Sequence, residues 1–265
     1  MDGVTQLRDV VYVCCGWPRA TCYGHEYRAI RRYSATTHRR LGDIVVTGLR
    51  VASDIAACEL TSRLYVADWT GCVWRVSSDG VDIQRWLPKS PSDRFKPIAL
   101  SVTSSRLLVT SYNDSQLRQF DAAGGGELRR VGLPDYMLPE HAVESPTETF
   151  VVGHFDAQQH RYQISEVSTE GHVRRQFSGP LGCSRHIAVD RHGNIFAADS
   201  RRRRILLLDA QLALRRVVLD ERQLSEERPS HLCYMDESGR LLVALKDGSV
   251  AVFRTLRFIL PTFVY

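Results

Sequence analysis

Short apolar runs alternate along this chain with glycine, aspartate, asparagine and serine, and the runs return at a nearly fixed interval. Leu64-Tyr65-Val66-Ala67-Asp68 is followed by Leu107-Leu108-Val109-Thr110-Ser111 and Phe150-Val151-Val152-Gly153-His154. Ile195-Phe196-Ala197-Ala198-Asp199 and Leu241-Leu242-Val243-Ala244-Leu245 come next. Their starts lie 43, 43, 45 and 46 residues apart, and Val11-Tyr12-Val13-Cys14-Cys15 stands 53 before the first. Strand-sized runs repeating with a period in the 40s mean stacked or radially arranged sheets. A helix would need apolar residues three and four apart over a dozen positions, and no segment sustains that.

Each period divides into four strands, most clearly in the fifth. There, residues 185–190 form strand A, 195–199 strand B, 205–209 strand C and 214–219 strand D, with Arg191-His192-Gly193-Asn194 as the A–B turn. Six such units predict an all-β fold, a six-bladed β-propeller of four-stranded antiparallel blades in a single domain over 1–265. The blades fall at about 1–50, 51–93, 94–138, 139–182, 183–228 and 229–265. An open two-sheet sandwich is the alternative, and the constant period argues against it. Blade one offers strands at 10–14, 29–33 and 43–46 with little chain ahead for its strand A. Residues 258–265 are expected to supply the outer strand of blade six.

Gly193-Asn194-Ile195-Phe196-Ala197-Ala198-Asp199 resembles the core of the NHL repeat, and Arg63-Leu64-Tyr65-Val66-Ala67-Asp68 is a second copy. Blades three, four and six replace the closing Asp with Ser111, His154 and Leu245. The resemblance implies a propeller serving as an interaction platform. Some of that family close ubiquitin-ligase proteins of the tripartite-motif type and some bind RNA. This chain shows neither zinc-finger spacing nor a coiled-coil segment.

Apolar residues make up 43 % and charged residues 25 %, the balance of a globular protein rather than a disordered one. No stretch approaches the ~20 apolar residues that span a bilayer, so no membrane is expected. The opening residues carry no basic stretch before an apolar core, and the seven cysteines read as reduced, which points to the cytoplasm. The net charge of +5 hints at an acidic partner.

In a four-stranded meander the B–C and D–A loops share one face of the disc and the A–B and C–D loops the other. The second face is acidic: Glu59, Asp79, Asp82, Asp121, Glu127, Glu148, Glu166, Glu170, Asp190, Asp209, Asp236 and Glu237 outnumber its cations. The first face is balanced except at Arg201, Arg202, Arg203 and Arg204, in the B–C loop of blade five. Guanidinium groups pair bidentately with phosphate, so this run is a candidate contact for RNA or an acidic segment. Trp69 and Tyr112 occupy equivalent loops on the same face and can stack bases or anchor loops. The blade-one loop, 16–28, adds Trp17 and Tyr23. Arg129-Arg130, Arg174-Arg175 and Arg215-Arg216 lie on outermost strands, where charge deters edge pairing.

His141, His186 and His231 stand just before strand A in three consecutive blades and can converge on the central channel. Three imidazoles with one open position suit catalytic zinc, an arrangement similar to the amidating-lyase propellers; an imidazole there can equally bond the neighbouring blade's backbone. Calcium, as in lactonase-type propellers, needs more hard oxygen than Asp54 alone. Gly124-Gly125-Gly126 lacks the Lys-Ser/Thr of a phosphate loop, and Cys14-Cys15 with Cys22 lacks metal spacing. The sequence therefore points to a monomeric, non-catalytic platform with no cofactor, binding a protein partner. Single-stranded RNA is the alternative ligand, and zinc enters only with the lyase-like reading.

Overall fold

The computed structural model describes residues 2–15, 29–87, 95–112 and 114–254, and it is a six-bladed all-β propeller. Blade one holds β1 (Asp2–Leu7), β2 (Val10–Cys15), β3 (Ala29–Ser34) and β4 (Arg40–Val45). Blade two holds β5 (Ala52–Cys58), β6 (Arg63–Asp68), β7 (Cys72–Ser77) and β8 (Ile83–Leu87). Blade three follows with β9 (Pro97–Thr103), β10 (Arg106–Ser111), β11 (Gln116–Asp121) and β12 (Glu127–Gly132). Blade four has β13 (Met137–Glu144), β14 (Phe150–Asp156), β15 (Arg161–Val167) and β16 (Val173–Gln176). Blade five has β17 (Ser184–Val189), β18 (Ile195–Asp199), β19 (Arg204–Leu208) and β20 (Leu214–Leu219). Blade six contributes β21 (Pro229–Met235), β22 (Arg240–Leu245) and β23 (Val250–Arg254), three strands among the described residues.

Every blade is an antiparallel meander in chain order. The innermost strands touch in a closed circle, β1 to β5, β5 to β9, β9 to β13, β13 to β17, β17 to β21 and β21 back to β1. Blade one is complete within itself. Its strand A is β1, paired from Asp2 against Cys15 to Leu7 against Val10, which corrects the expectation of too little chain for it. The residues 258–265 assigned to the outer strand of blade six lie outside the described residues, as do Trp17, Tyr23 and Cys22.

The packing explains why the B strands are apolar without alternation. Both faces of each blade are covered, so successive residues enter different cores. Leu64 and Val66 pack into the layer between blades one and two, while Tyr65 and Ala67 enter the layer between blades two and three. Six such layers surround the axis, one per junction. Truncating a large member such as Phe150, 1 % exposed, costs about 3–5 kcal/mol. Turn chemistry completes each hairpin. In blade five the Asp190 carboxylate accepts N–H bonds from His192 and Asn194, and Gly193 takes a φ of +80° that other residues resist.

Candidate functional site

The last residue of strand B anchors the loop that enters its blade. Asp68 accepts bonds from the backbone N–H of Arg50 at 2.9 Å, and of Val51 and Thr70. The Thr70 hydroxyl and the Trp74 indole N–H also donate to it. Ser111 Oγ accepts the N–H of Lys96 at 3.0 Å in blade three, and Asp199 accepts those of Gly182 and Cys183 in blade five. In blade four His154 bonds Ser165 Oγ instead, and burial lowers its pKa to about 4. The NHL-like closing Asp is thus a loop fastener here.

That role absorbs half of the arginine run. Arg204 Nε donates to the fully buried Asp199 carboxylate at 3.0 Å, and its Nη2 reaches the carbonyl of Pro180 at 3.0 Å. Arg202 bonds the same carbonyl at 2.5 Å and lies 3.7 Å from Asp199. Residues Ser200–Arg202 form a 3₁₀ turn closed by Arg203 in the left-handed region. Arg201 and Arg203 alone keep guanidinium groups without such partners among the described residues. On the outer strands Arg130 pairs with Glu127, Arg175 with Glu166 and Arg215 with Asp209.

Trp69 is 42 % exposed, with the Lys96 ammonium 3.7 Å from its ring centroid, an aromatic–cation pair bridging blades two and three. Tyr112, half-buried, belongs to blade three. In a six-membered ring, blades two and five are diametrically opposed. The aromatic pair and the arginine run therefore form separate patches, although the sequence grouped them. Sequence reasoning missed Arg50 and Arg85, which share a small cavity with Gly48, Thr70 and Cys72. Their 35-residue separation gave no signal; only the D–A and outer-strand geometry of the ring joins them.

His141, His186 and His231 lie inside β13, β17 and β21 rather than before them, each near a register shift against the neighbouring strand. Gly3, Asp54 and Ala99 hold the matching places in blades one, two and three, opposite Cys14, Ala67 and Thr110. The imidazoles stack, with centroids 3.6 Å apart for His141 and His186 and 3.5 Å for His186 and His231. His231 Nε2 bonds Asp54 Oδ1. Three of these side chains staple one blade to the next by accepting a backbone N–H: Asp54 from Leu100, His186 from Leu232 and His231 from Val4, at 2.7, 3.2 and 3.3 Å. His141 reaches back to the carbonyl of Leu100 at 3.3 Å.

Burial alone would raise the Asp54 carboxyl, but the pull of His231 and of the nearby His186, with the His231 hydrogen bond, outweighs it and holds it well below the usual range. Burial lowers His141 to about 4 and His186 well below the ordinary histidine value. The layer floors a central cavity of about 580 Å³, lined higher up by Glu59, Glu144, Asp190 and Asp236 and opening on the acidic face.

One atom each of Asp54, His141 and His186 lies within 4.8 Å of the others, the spread of a metal-ligand set. Proton placement opposes that use. A neutral imidazole carries one N–H, and His186 and His231 both turn Nδ1 toward a backbone donor. Each proton therefore sits on Nε2, the atom a metal would need. His186 Nε2 lies 3.9 Å from Asp54, beyond hydrogen-bond reach, and stays unpartnered with His141 Nδ1. One free imidazole lone pair and one carboxylate are too few for a zinc centre.

No family model and no curated protein matches this chain. Its fold does match solved structures. A Bacteroides caccae protein of unknown function aligns with a TM-score of 0.64 at 12 % identity, over 83 % of this chain and 80 % of the other. A chain of the Kuenenia stuttgartiensis hydrazine synthase gives 0.59 at 13 % identity, over 96 % and 95 %. A chain of a nidogen/laminin complex gives 0.65 at 13 % identity, over 83 % and 80 %. These likenesses show the propeller fold.

Proposed function

We propose that this propeller is a non-catalytic interaction platform that receives a protein partner on its B–C/D–A face, at the junction of blades two and three. The exposed Trp69, held in place by Lys96, carries the reading. Amphipathic aromatics with an ordered cation are the usual anchors of protein interfaces. The fold and the NHL-like cores of blades two and five agree with it, and one likeness comes from a complex of two proteins. An RNA ligand would need a track of free cations, and the arginine run offers two of its four. Cys14, Cys58, Cys72, Cys183 and Cys233 are free thiols, which suits a reducing, cytoplasmic setting.

A photo-crosslinking residue at Tyr112 tests this in nuclease-treated lysate, with one at Glu237 on the opposite face as control. Protein adducts form from position 112, disappear on Trp69→Ala and are absent from position 237. Equal labelling from both faces, or adducts indifferent to Trp69, would refute the reading.

A further inference from the structure

Arg50, ahead of β5, and Arg85, on β8, line one cavity of about 280 Å³ with Gly48, Thr70 and Cys72. No carboxylate belongs to that lining. Both arginines are exposed, and among the described residues neither guanidinium has a carboxylate within ion-pair distance. Asp68 lies beneath, fully buried, its lone pairs engaged by the backbone of Arg50, Val51 and Thr70, the Thr70 hydroxyl and the Trp74 indole.

The Arg85 cation is also held in position. The Arg85 guanidinium carbon lies 5.1 Å from the Trp74 ring centroid. Gly48, at a φ of +99°, leaves the cradle open: a Cβ there would stand 3.0 Å from Trp74 and 3.7 Å from Arg85 Nη2. Trp69 directly precedes Thr70, and Lys96 sits over its ring. The cavity opens on the blade-one side of that loop, and the aromatic–cation pair spans its blade-three side.

We infer that this cavity binds the phosphoryl group of a phosphorylated protein segment whose flanking residues lie on Trp69. The inference rests on the platform reading and names its partner class. A phosphoryl dianion offers three strong acceptor oxygens to two planar guanidinium forks, and each such charged hydrogen bond exceeds a neutral one. The cavity carries two cations, enough for a single phosphoryl group. A nucleic acid strand would want a longer track of cations and aromatics.

The test presents the full chain with immobilised degenerate peptides that differ only at a central phosphoserine, serine or glutamate, and with oligouridylate. The phosphoserine peptides are retained about tenfold or more over the others, the gain of one to two charged hydrogen bonds. Arg50→Ala and Arg85→Ala each remove about tenfold, while Arg129→Ala on the outer strand β12 changes nothing. Circular dichroism checks that these exposed-site variants fold. Equal retention of phosphoserine and serine peptides overturns the inference; if Trp69-dependent adducts at position 112 persist, the platform survives it. Equal retention of glutamate peptides also overturns it, and so does tighter binding of oligouridylate that depends on Arg50 and Arg85.

Discussion

Asp68 and Asp199 close the same strand in blades two and five, and their surroundings answer the buried charge in different ways. Asp199 is met by Arg202 and Arg204, so the most basic stretch of the chain turns inward to fasten a loop. Asp68 is met by neutral donors, the indole of Trp74 and the Thr70 hydroxyl among them. That leaves the Arg50 and Arg85 guanidiniums without a carboxylate partner among the described residues. Local density of positive charge is thus a poor guide to available charge. What matters is whether a buried carboxylate lies within reach.

The largest expected effect comes from three buried histidines, two in the channel floor and His154 at the strand-B end of blade four. His141, His154 and His186 have lower pKa values folded than unfolded, so the unfolded chain binds more protons as pH falls. Their contribution is whole above the ordinary histidine value and drains as pH drops toward about 4, at about 1.4 kcal/mol per pH unit for each group. Urea midpoints measured from neutral to acid pH check this, and a flat profile down to the carboxylate range would contradict it. The corners are therefore best compared at neutral pH. There, Asp199→Ala strands two arginines and costs about 3–5 kcal/mol. Asp68→Ala strands uncharged donors and costs about 2–3 kcal/mol. Equal losses for the two would erase the distinction.

Single cations sharpen it further. Arg204→Ala removes a hydrogen bond to a buried carboxylate and lowers stability by about 1.5–3 kcal/mol in the same titration. Lys96→Ala loosens the Trp69 ring for about 0.5–1 kcal/mol, read from indole fluorescence and the melting midpoint together. Arg50→Ala and Arg85→Ala should stay within about 0.5 kcal/mol of the parent. A large loss from either would mean that these guanidiniums belong to the fold and not to a ligand.

The repeat was legible because blades buried on both faces demand unbroken apolar B strands. The blade-five strands accordingly fall within one residue of their sequence positions. β1 was not legible: Asp2-Gly3-Val4-Thr5-Gln6-Leu7 mixes polar and apolar residues, although Val4 and Leu7 each enter a blade junction. The histidines could be aligned by period, but their joining to Asp54 spans 177 residues for His231 and required ring closure. The inward turn of Arg202 and Arg204 depends on the Pro180 carbonyl, brought close only by the D–A loop.

Among the described residues, one joint of the ring is thinner than the rest. The layer between blades six and one holds six fully buried apolar residues, against nine to fourteen elsewhere among the described residues. Gly3, in the matching place on the intervening blade, packs closely: a methyl group there would stand 2.9 Å from both Cys14 Sγ and the Ile55 nitrogen. Breathing of the disc should concentrate at this seam, where amides of β1 exchange with solvent ahead of those in β6 or β18. His231, bonded both to the Val4 N–H and to Asp54, is then the clasp across that seam.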